Sequence, residues 1–157
     1  MEIILIGIGA TIVFDLWLVL LKSLGVKTLN MAFIGRWAGH LAQGRFAHDA
    51  IAASPAVNGE HALGWLVHYA TGVAFSAALV AVAGQGWLHA PSIGPALAVG
   101  IATAGAPLFV MQPSMGLGVA SRKTPTPVKN CLRSLANHTV FGLGLYLSAL
   151  LIKGISQ

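Results

Sequence analysis

The sequence predicts an all-α membrane protein: a four-transmembrane-helix bundle with an amphipathic interfacial segment between helices 1 and 2. Of its 157 residues, 56% are hydrophobic and only 8% are charged, whereas an average soluble domain has about 25% charged residues. Four apolar stretches each have about the 20 residues that a helix needs to cross the bilayer core. Backbone groups in lipid must be paired within their own segment, which favours helices. The length predicts one integral membrane domain over residues 1–157.

The four predicted spans cover residues 3–21, 62–83, 93–111 and 135–152. The first span could instead be a secretory signal. Met1-Glu2 supplies no basic segment before it, however, and the apolar stretch is long for a signal, so we expect a retained helix. Pro107 lies within the third span and predicts a kink there.

The basic residues predict the orientation of the spans. Eight of the nine lie between spans one and two or between spans three and four: Lys22, Lys27, Arg36, Arg45, Arg122, Lys123, Lys129 and Arg133. The positive-inside rule makes both segments cytoplasmic, so we expect both termini to face outward. Topology thus explains the net charge of +5, and we expect no nucleic-acid partner. The expected partners are the lipid bilayer and further copies of the chain, because four helices enclose little volume.

The first inner segment has its own pattern. Phe33, Trp37 and Leu41 recur at every fourth residue, while Arg36 and His40 share a different strip, which predicts an interfacial helix over residues 29–41. A second short helix is predicted over residues 44–53, before the Ser54-Pro55 dipeptide. The pattern leaves open whether residues 25–61 lie at the interface or re-enter the membrane. Residues 112–127, with two Gly and three Pro, are predicted to be irregular.

Asp15, His68 and His138 are the candidate functional residues within the spans. Counted from the nearest flank at about 1.5 Å per residue, they lie roughly 10, 12 and 7.5 Å deep. The residues four positions away on their helices are small, which favours helix–helix interfaces over lipid-facing positions. These neighbours are Thr11, Gly64, Gly72, Ser134 and Gly142. The sequence therefore predicts that three helices present ionisable groups at a similar level.

A purely structural role for these three residues is the main alternative. Hydrogen bonds between membrane helices contribute about 0.6–2 kcal/mol, whereas an Asp at a helix centre costs about 2.5–3.5 kcal/mol on insertion scales. Ser or Asn would join helices at a lower cost than Asp15. An ionisable residue within a membrane span therefore favours a functional site.

Three functional hypotheses follow. The leading one is binding or movement of a small polar solute or ion at a protonatable site near the cytoplasmic leaflet, with Asp15 as acceptor and His68 and His138 as partners. The second is a haem held by His68 and His138, or a divalent metal held by both histidines and Asp15. Cys131, the single cysteine, excludes cysteine-based metal centres and an intramolecular disulfide within one chain.

The third hypothesis is a membrane enzyme that acts on a lipid headgroup. It rests on a polar cluster between spans one and two: Arg36, His40, Arg45, His48 and Asp49. Arg and His are suited to holding a phosphate or carboxylate, and the cluster could equally form the mouth that attracts an anion or bind anionic lipid without chemistry. Within a continuous helix, the spacing of His40 and His48 would place both rings on one face. No catalytic motif accompanies them, so the sequence does not establish an enzyme and favours a protein without enzymatic activity.

Several local strings resemble those of a bacterial family of small integral membrane proteins of unknown function. They are Asp15-Leu16-Trp17, Gly35-Arg36-Trp37 with His40, Gly44-Arg45-Phe46 with His48-Asp49, Gly64-Trp65 with His68-Tyr69, Met111-Gln112-Pro113 with Met115-Gly116, and His138 with Phe141-Gly142-Leu143-Gly144-Leu145-Tyr146. The resemblance covers nearly the whole chain. It implies a four-helix inner-membrane protein and carries over no activity and no catalytic residues.

Overall fold

The computed structural model describes residues 1–155, and over that range it is all-α, without a β-strand. Its helices are α1 (Glu2–Ser23), α2 (Met31–Leu41), α3 (Glu60–Ala83), α4 (Gly86–His89), α5 (Ile93–Ala102), α6 (Gln112–Ser114) and α7 (Pro127–Ile155). Four helical stretches are long and apolar enough to cross a membrane: Glu2–Ser23, Glu60–Ala83, Ile93–Ser114 and Pro127–Ile155. The predicted fold class and its four membrane helices are confirmed.

Two spans differ in detail from their predicted form. Helix α7 begins at Pro127, eight residues before the predicted start at 135, because proline fits the first turn of a helix, where no backbone donor is needed. The third stretch contains a π-helical turn over Pro107–Met111 between α5 and α6. Proline removes one backbone donor, and π turns mark such interruptions in α-helices. The irregularity expected at Pro107 is thus a change of helix type.

The chain divides into two compact units. The first comprises residues 1–28, 69–103 and those from 135 onward, and the second comprises residues 29–68 and 104–134. In the first unit, α1, α3, α4, α5 and α7 share one apolar core. The buried side chains of this core are Ile6, Ala10, Leu79, Val80, Trp87, Ala96, Phe141, Leu145 and Ala149. Within this unit, the helices therefore form a bundle around shared packing.

Glycines allow the helices of the first unit to approach closely. A Cβ added to Gly7 would lie 2.6 Å from the Cα of Val73 on α3. A Cβ added to Gly100 on α5 would collide with the backbone of Gly142 on α7. Close backbone contact through small residues is the usual way in which membrane helices associate.

Helix α2 of the second unit confirms the predicted helix after the first span. The Asn30 side chain caps it by accepting a hydrogen bond from the backbone N–H of Ala32 at 3.0 Å. The buried residues of α2 are Met31, Ile34, Gly35 and His40, whereas Leu41 is exposed. The helix therefore has a packed face and an open face.

The prediction of a second short helix over residues 44–53 is wrong. Gly44 has a φ of +80°, and the N–H groups of Gly44 and Arg45 bond to the carbonyls of Leu41 and His40. This arrangement is the Schellman motif, which ends a helix at a left-handed glycine. The chain then continues without regular structure to a short 3₁₀ turn over Ile51–Ala53. The glycine that the sequence placed inside a helix instead terminates one.

The irregular segment predicted over residues 112–127 is confirmed for residues 115–126, whereas residues 112–114 are helical and Pro127 begins α7. Beyond α6 it contains only a 3₁₀ turn over Val119–Ser121. Gly116 and Gly118 have positive φ angles, and so do Ala120 and Ser121. Side chains with a Cβ rarely adopt this conformation, so the loop carries local backbone strain.

Candidate functional site

Asp15 lies on α1 in the first unit, where it is half-buried. The Tyr69 hydroxyl on α3 donates a hydrogen bond to Asp15 Oδ2 at 3.0 Å. A hydroxyl group both donates and accepts, so a protonated Asp15 could donate to the same oxygen. The pair can therefore stay joined whether or not Asp15 carries a proton.

His138 lies on α7 in the same unit, and its Nδ1 is 2.8 Å from the Thr103 hydroxyl at the end of α5. That hydroxyl donates its hydrogen to the Gly100 carbonyl, so it accepts from Nδ1–H of His138. Both the neutral and the protonated imidazole can carry this Nδ1–H, so the bond to Thr103 does not depend on the charge of the ring. The His138 ring also lies near the rings of Phe14, Phe75 and Phe141, with centroids 6.0, 6.4 and 6.5 Å away.

A third polar contact joins α1 and α7. Trp17 Nε1 donates to Asn137 Oδ1 at 2.9 Å. Neither residue titrates, so this contact only connects the helices. Together the three contacts place hydrogen-bonded polar groups on all four spans of the first unit.

His68 is the third predicted member of the membrane site, and it is the last residue of the second unit before residue 69. Its ring packs edge-on against Trp65 at a centroid distance of 5.8 Å, and Trp65 in turn packs against His61. The structure thus places Asp15 and His138 in one unit and His68 in the other. The convergence of all three residues stays a prediction.

Arg36 anchors the second unit. Its Nε and Nη2 donate to the two carboxylate oxygens of Glu60, each at 2.8 Å, and Nη1 donates to the carbonyls of Ile51, Ala52 and Ser54. The two charged side chains are only 12% and 16% exposed. The bond to Glu60 raises the pKa of the Arg36 guanidinium above its usual value, so Arg36 remains charged. Its geometry is that of a structural clasp between α2, residues 51–54 and the start of α3.

His40 and His48 meet although no helix connects them. His40 Nδ1 lies 2.8 Å from His48 Nε2, and the rings are nearly parallel, with centroids 5.0 Å apart. The turn at Gly44 brings the chain back against α2 and so replaces the helical spacing that the sequence predicted. His48 Nδ1 contacts the Ser114 carbonyl at 3.2 Å.

Arg45 and Asp49 flank this pair and are exposed. The Asp49 carbonyl instead takes part in backbone packing, because a Cβ on Gly116 would collide with it. The predicted polar cluster is therefore divided into a clasp (Arg36), a buried histidine pair (His40 and His48) and two exposed charges.

The hydrogen-bond partners of Asp15 and His138 differ in how easily the sequence reveals them. Tyr69 is adjacent to His68, and its hydrogen-bonding capacity is evident from the sequence. Thr103 was not predicted as a site residue, and its only signal is that it is the one hydroxyl residue in the apolar stretch 93–111. Within residues 1–155 no three His, Cys, Asp or Glu side chains form a group that could hold a metal ion. That finding gives no support to the hypothesis that His68, His138 and Asp15 hold a divalent metal ion.

The family model described as "Protein of unknown function (DUF2938)" matches residues 4–152. The match covers nearly the whole chain, so the chain belongs to this family. No curated protein and no solved structure matches it.

Proposed function

We propose that this member of the DUF2938 family binds or moves a small polar solute or ion, and that Asp15 and His138 exchange protons as it does so. One observation carries the proposal: Asp15 and His138 each form a hydrogen bond with a hydroxyl group. Each bond can persist whether or not Asp15 or His138 carries the exchangeable proton. Asp15 would be the proton or cation acceptor, and His138 would be its partner. His68 remains the predicted third member of the site.

The cost of these residues in a membrane supports a functional role. An Asp near the middle of a span costs about 2.5–3.5 kcal/mol, more than the roughly 0.6–2 kcal/mol that an inter-helix hydrogen bond returns. Trp17 and Asn137 already join α1 to α7 without an ionisable group. The presence of Asp15 in this span is therefore better explained by proton exchange than by helix association.

The proposal includes a location and an orientation. The chain would lie in a bacterial inner membrane, with both termini outside and residues 24–59 and 115–126 inside. The distribution of Lys and Arg supports this orientation. In a Cys131→Ser background, a cysteine at Gly154 should react with an impermeant maleimide added to intact cells or spheroplasts. A cysteine at Gln43 should react only after the membrane is opened, and the reverse pattern would contradict the orientation.

The same proposal names the partners. The bilayer is one, and further copies of this chain are the other, with exposed Arg45 at the inner mouth. Native mass spectrometry from lipid nanodiscs would test the assembly. A monomer that carries full transport activity would contradict the proposed homo-oligomer.

Proton movement can be measured in proteoliposomes that contain a pH-sensitive dye and are driven by a potassium diffusion potential. We expect the wild-type protein to acidify the vesicles faster than protein-free membranes do. Asp15→Asn preserves an acceptor for Tyr69, and His138→Asn preserves a donor near Thr103, but neither amide exchanges protons. Each substitution should lower the rate at least about tenfold, which corresponds to about 1.4 kcal/mol of activation free energy.

Two matched controls use the same helices. Glu2→Gln removes a carboxylate from α1, and Thr139→Val removes a hydroxyl on α7 that donates to the Leu135 carbonyl of its own helix. Both should retain the wild-type rate. If folded Asp15→Asn and His138→Asn proteins transported protons, sodium, potassium and a panel of small organic solutes as the wild type does, the proposal would fail.

A further inference from the structure

The second unit contains an ionisable pair that the proposed transport step does not use. His40 and His48 are only 6% and 5% exposed, and their facing nitrogens are 2.8 Å apart. At that distance one nitrogen must donate and the other must accept. The contact therefore requires a defined arrangement of protons on the two rings.

The Ser114 carbonyl determines that arrangement. A carbonyl oxygen can only accept, so His48 Nδ1 carries a hydrogen and donates to it at 3.2 Å. Neutral His48 then has its lone pair on Nε2, which accepts from His40 Nδ1–H. The basic nitrogen that remains in the pair is Nε2 of His40. Both imidazoles are thus in the Nδ1–H tautomer.

We propose that His40 and His48 form a proton-binding site that takes up one proton at His40 Nε2 and resists a second. The first proton comes from water and adds to a lone pair without breaking the bond between the rings. His40 becomes an imidazolium whose Nδ1–H still donates to His48, now as a stronger, charge-assisted hydrogen bond. A second proton would have to occupy His48 Nε2, the atom that accepts this bond.

The charged groups around the pair are of both signs and nearly balance. The Glu60 carboxylate on α3 and the Arg36 guanidinium on α2 form an ion pair with each other, and the exposed side chains of Arg45 and Asp49 carry opposite charges. Residues 114–116 contribute no ionisable side chain. Ser114 ends a helical stretch, where the helix dipole favours a cation. Two imidazolium rings with centroids 5.0 Å apart would instead repel each other.

The histidine pair lies beside the backbone hydrogen bonds that attach residues 48–51 to residues 114–116. The His48 N–H bonds to the Ser114 carbonyl at 2.9 Å, and the Ile51 N–H bonds to the Met115 carbonyl at 3.1 Å. Gly116 packs directly against the carbonyl of Asp49. Loss of the bond between the rings would therefore remove a side-chain contact beside the attachment of residues 48–51 to residues 114–116.

NMR of the full chain with ¹⁵N-labelled histidine in lipid nanodiscs tests this site directly. We expect a ¹⁵N–¹⁵N coupling across the hydrogen bond, Nδ1–H tautomers for both rings at high pH, and uptake of one proton in a first step as the pH is lowered. The second proton should bind in a separate step at lower pH, because the two rings interact as a coupled pair.

Three variants assign the signals and control for loss of folding. His40→Asn retains a donor near Nδ1 but removes Nε2, so it should abolish the coupling and the titration signals of the His40 ring. His48→Gln retains an acceptor near Nε2 and should leave one imidazole that titrates. His89→Gln changes an exposed histidine of the first unit and should leave both features intact.

Two results would overturn the inference. One is a pair of independent titrations in the wild type with no coupling between the rings. The other is tight binding of Zn²⁺ or Cu⁺ that abolishes the coupling and is lost in both pair variants, since the pair would then be a metal site. If His40→Asn does not fold, the tautomers and the spacing of the two wild-type steps still decide the outcome.

Discussion

The Asp15 and His138 contacts of the first unit and the Arg36 clasp of the second use polar side chains in different ways. In the first, Asp15 and His138 each bond to a hydroxyl on another span. In the second, Arg36 bonds to a carboxylate and to three backbone carbonyls. A guanidinium held by acceptors has one stable protonation state, whereas an acid or imidazole next to a hydroxyl can have two. The comparison shows that the chemistry of the partner, more than the charge itself, separates a structural group from a group that can exchange protons.

The largest loss of stability is expected where two helices of the first unit are in direct backbone contact. Gly100→Ala places a Cβ against the backbone of Gly142, which cannot move without shifting α5 or α7. Overpacking of this kind costs about 1–3 kcal/mol. We therefore expect a lower Tm and loss of monodisperse protein in detergent, measured by thermal unfolding and size-exclusion chromatography.

Gly94→Ala is the matched control on the same helix. A Cβ at Gly94 meets no atom within 4 Å, so this substitution should leave the Tm unchanged or raise it slightly. Equal effects at Gly94 and Gly100 would show that helix propensity, and not close packing, decides the stability of the unit.

The second prediction concerns the clasp of the second unit. Arg36→Lys keeps the positive charge but loses the planar fork that binds both oxygens of Glu60 and the carbonyls of residues 51–54. We expect a local effect: residues 42–59 should be cleaved several-fold faster by a protease, with little change in global Tm. Arg36→Gln should be at least as susceptible.

Arg45→Gln controls for the loss of a cation from the same segment, because Arg45 is exposed. Its cleavage rate should match the wild type. If Arg36→Lys were as resistant as the wild type, charge alone would hold the segment and the two units would not differ in the way proposed.

The sequence predicted the helices well because lipid imposes a simple rule. Apolar stretches of about 20 residues must be helical to satisfy their backbones, and all four appear. The end of α2 was harder to predict. Gly44 fits a helical spacing of His40 and His48 on paper, but its left-handed φ ends the helix there. Composition alone does not separate a glycine inside a helix from one that caps it.

Site residues were easier to nominate than to pair. Asp15 and His138 stand out as ionisable groups in apolar stretches, yet Thr103, the partner of His138, is an ordinary membrane-helix residue whose role depends on packing between α5 and α7. Helical periodicity predicted only that His40 and His48 share one face, whereas a turn brings their rings into contact. Arg36 was expected at an open mouth, and its many acceptors come from backbone that only the fold brings together.

The smallest effect is expected at the contact between Trp17 and Asn137, which tests whether polar bonds stabilise the first unit at all. Trp17→Phe and Asn137→Ala each remove one side of a 2.9 Å hydrogen bond. A double-mutant cycle on the unfolding free energy should give a coupling of about 0.6 kcal/mol, the average for membrane helices. A coupling several times larger would mean that such bonds can repay the insertion of an Asp. Asp15 would then be explained by stability, and the proposed difference between the two units would lose its energetic basis.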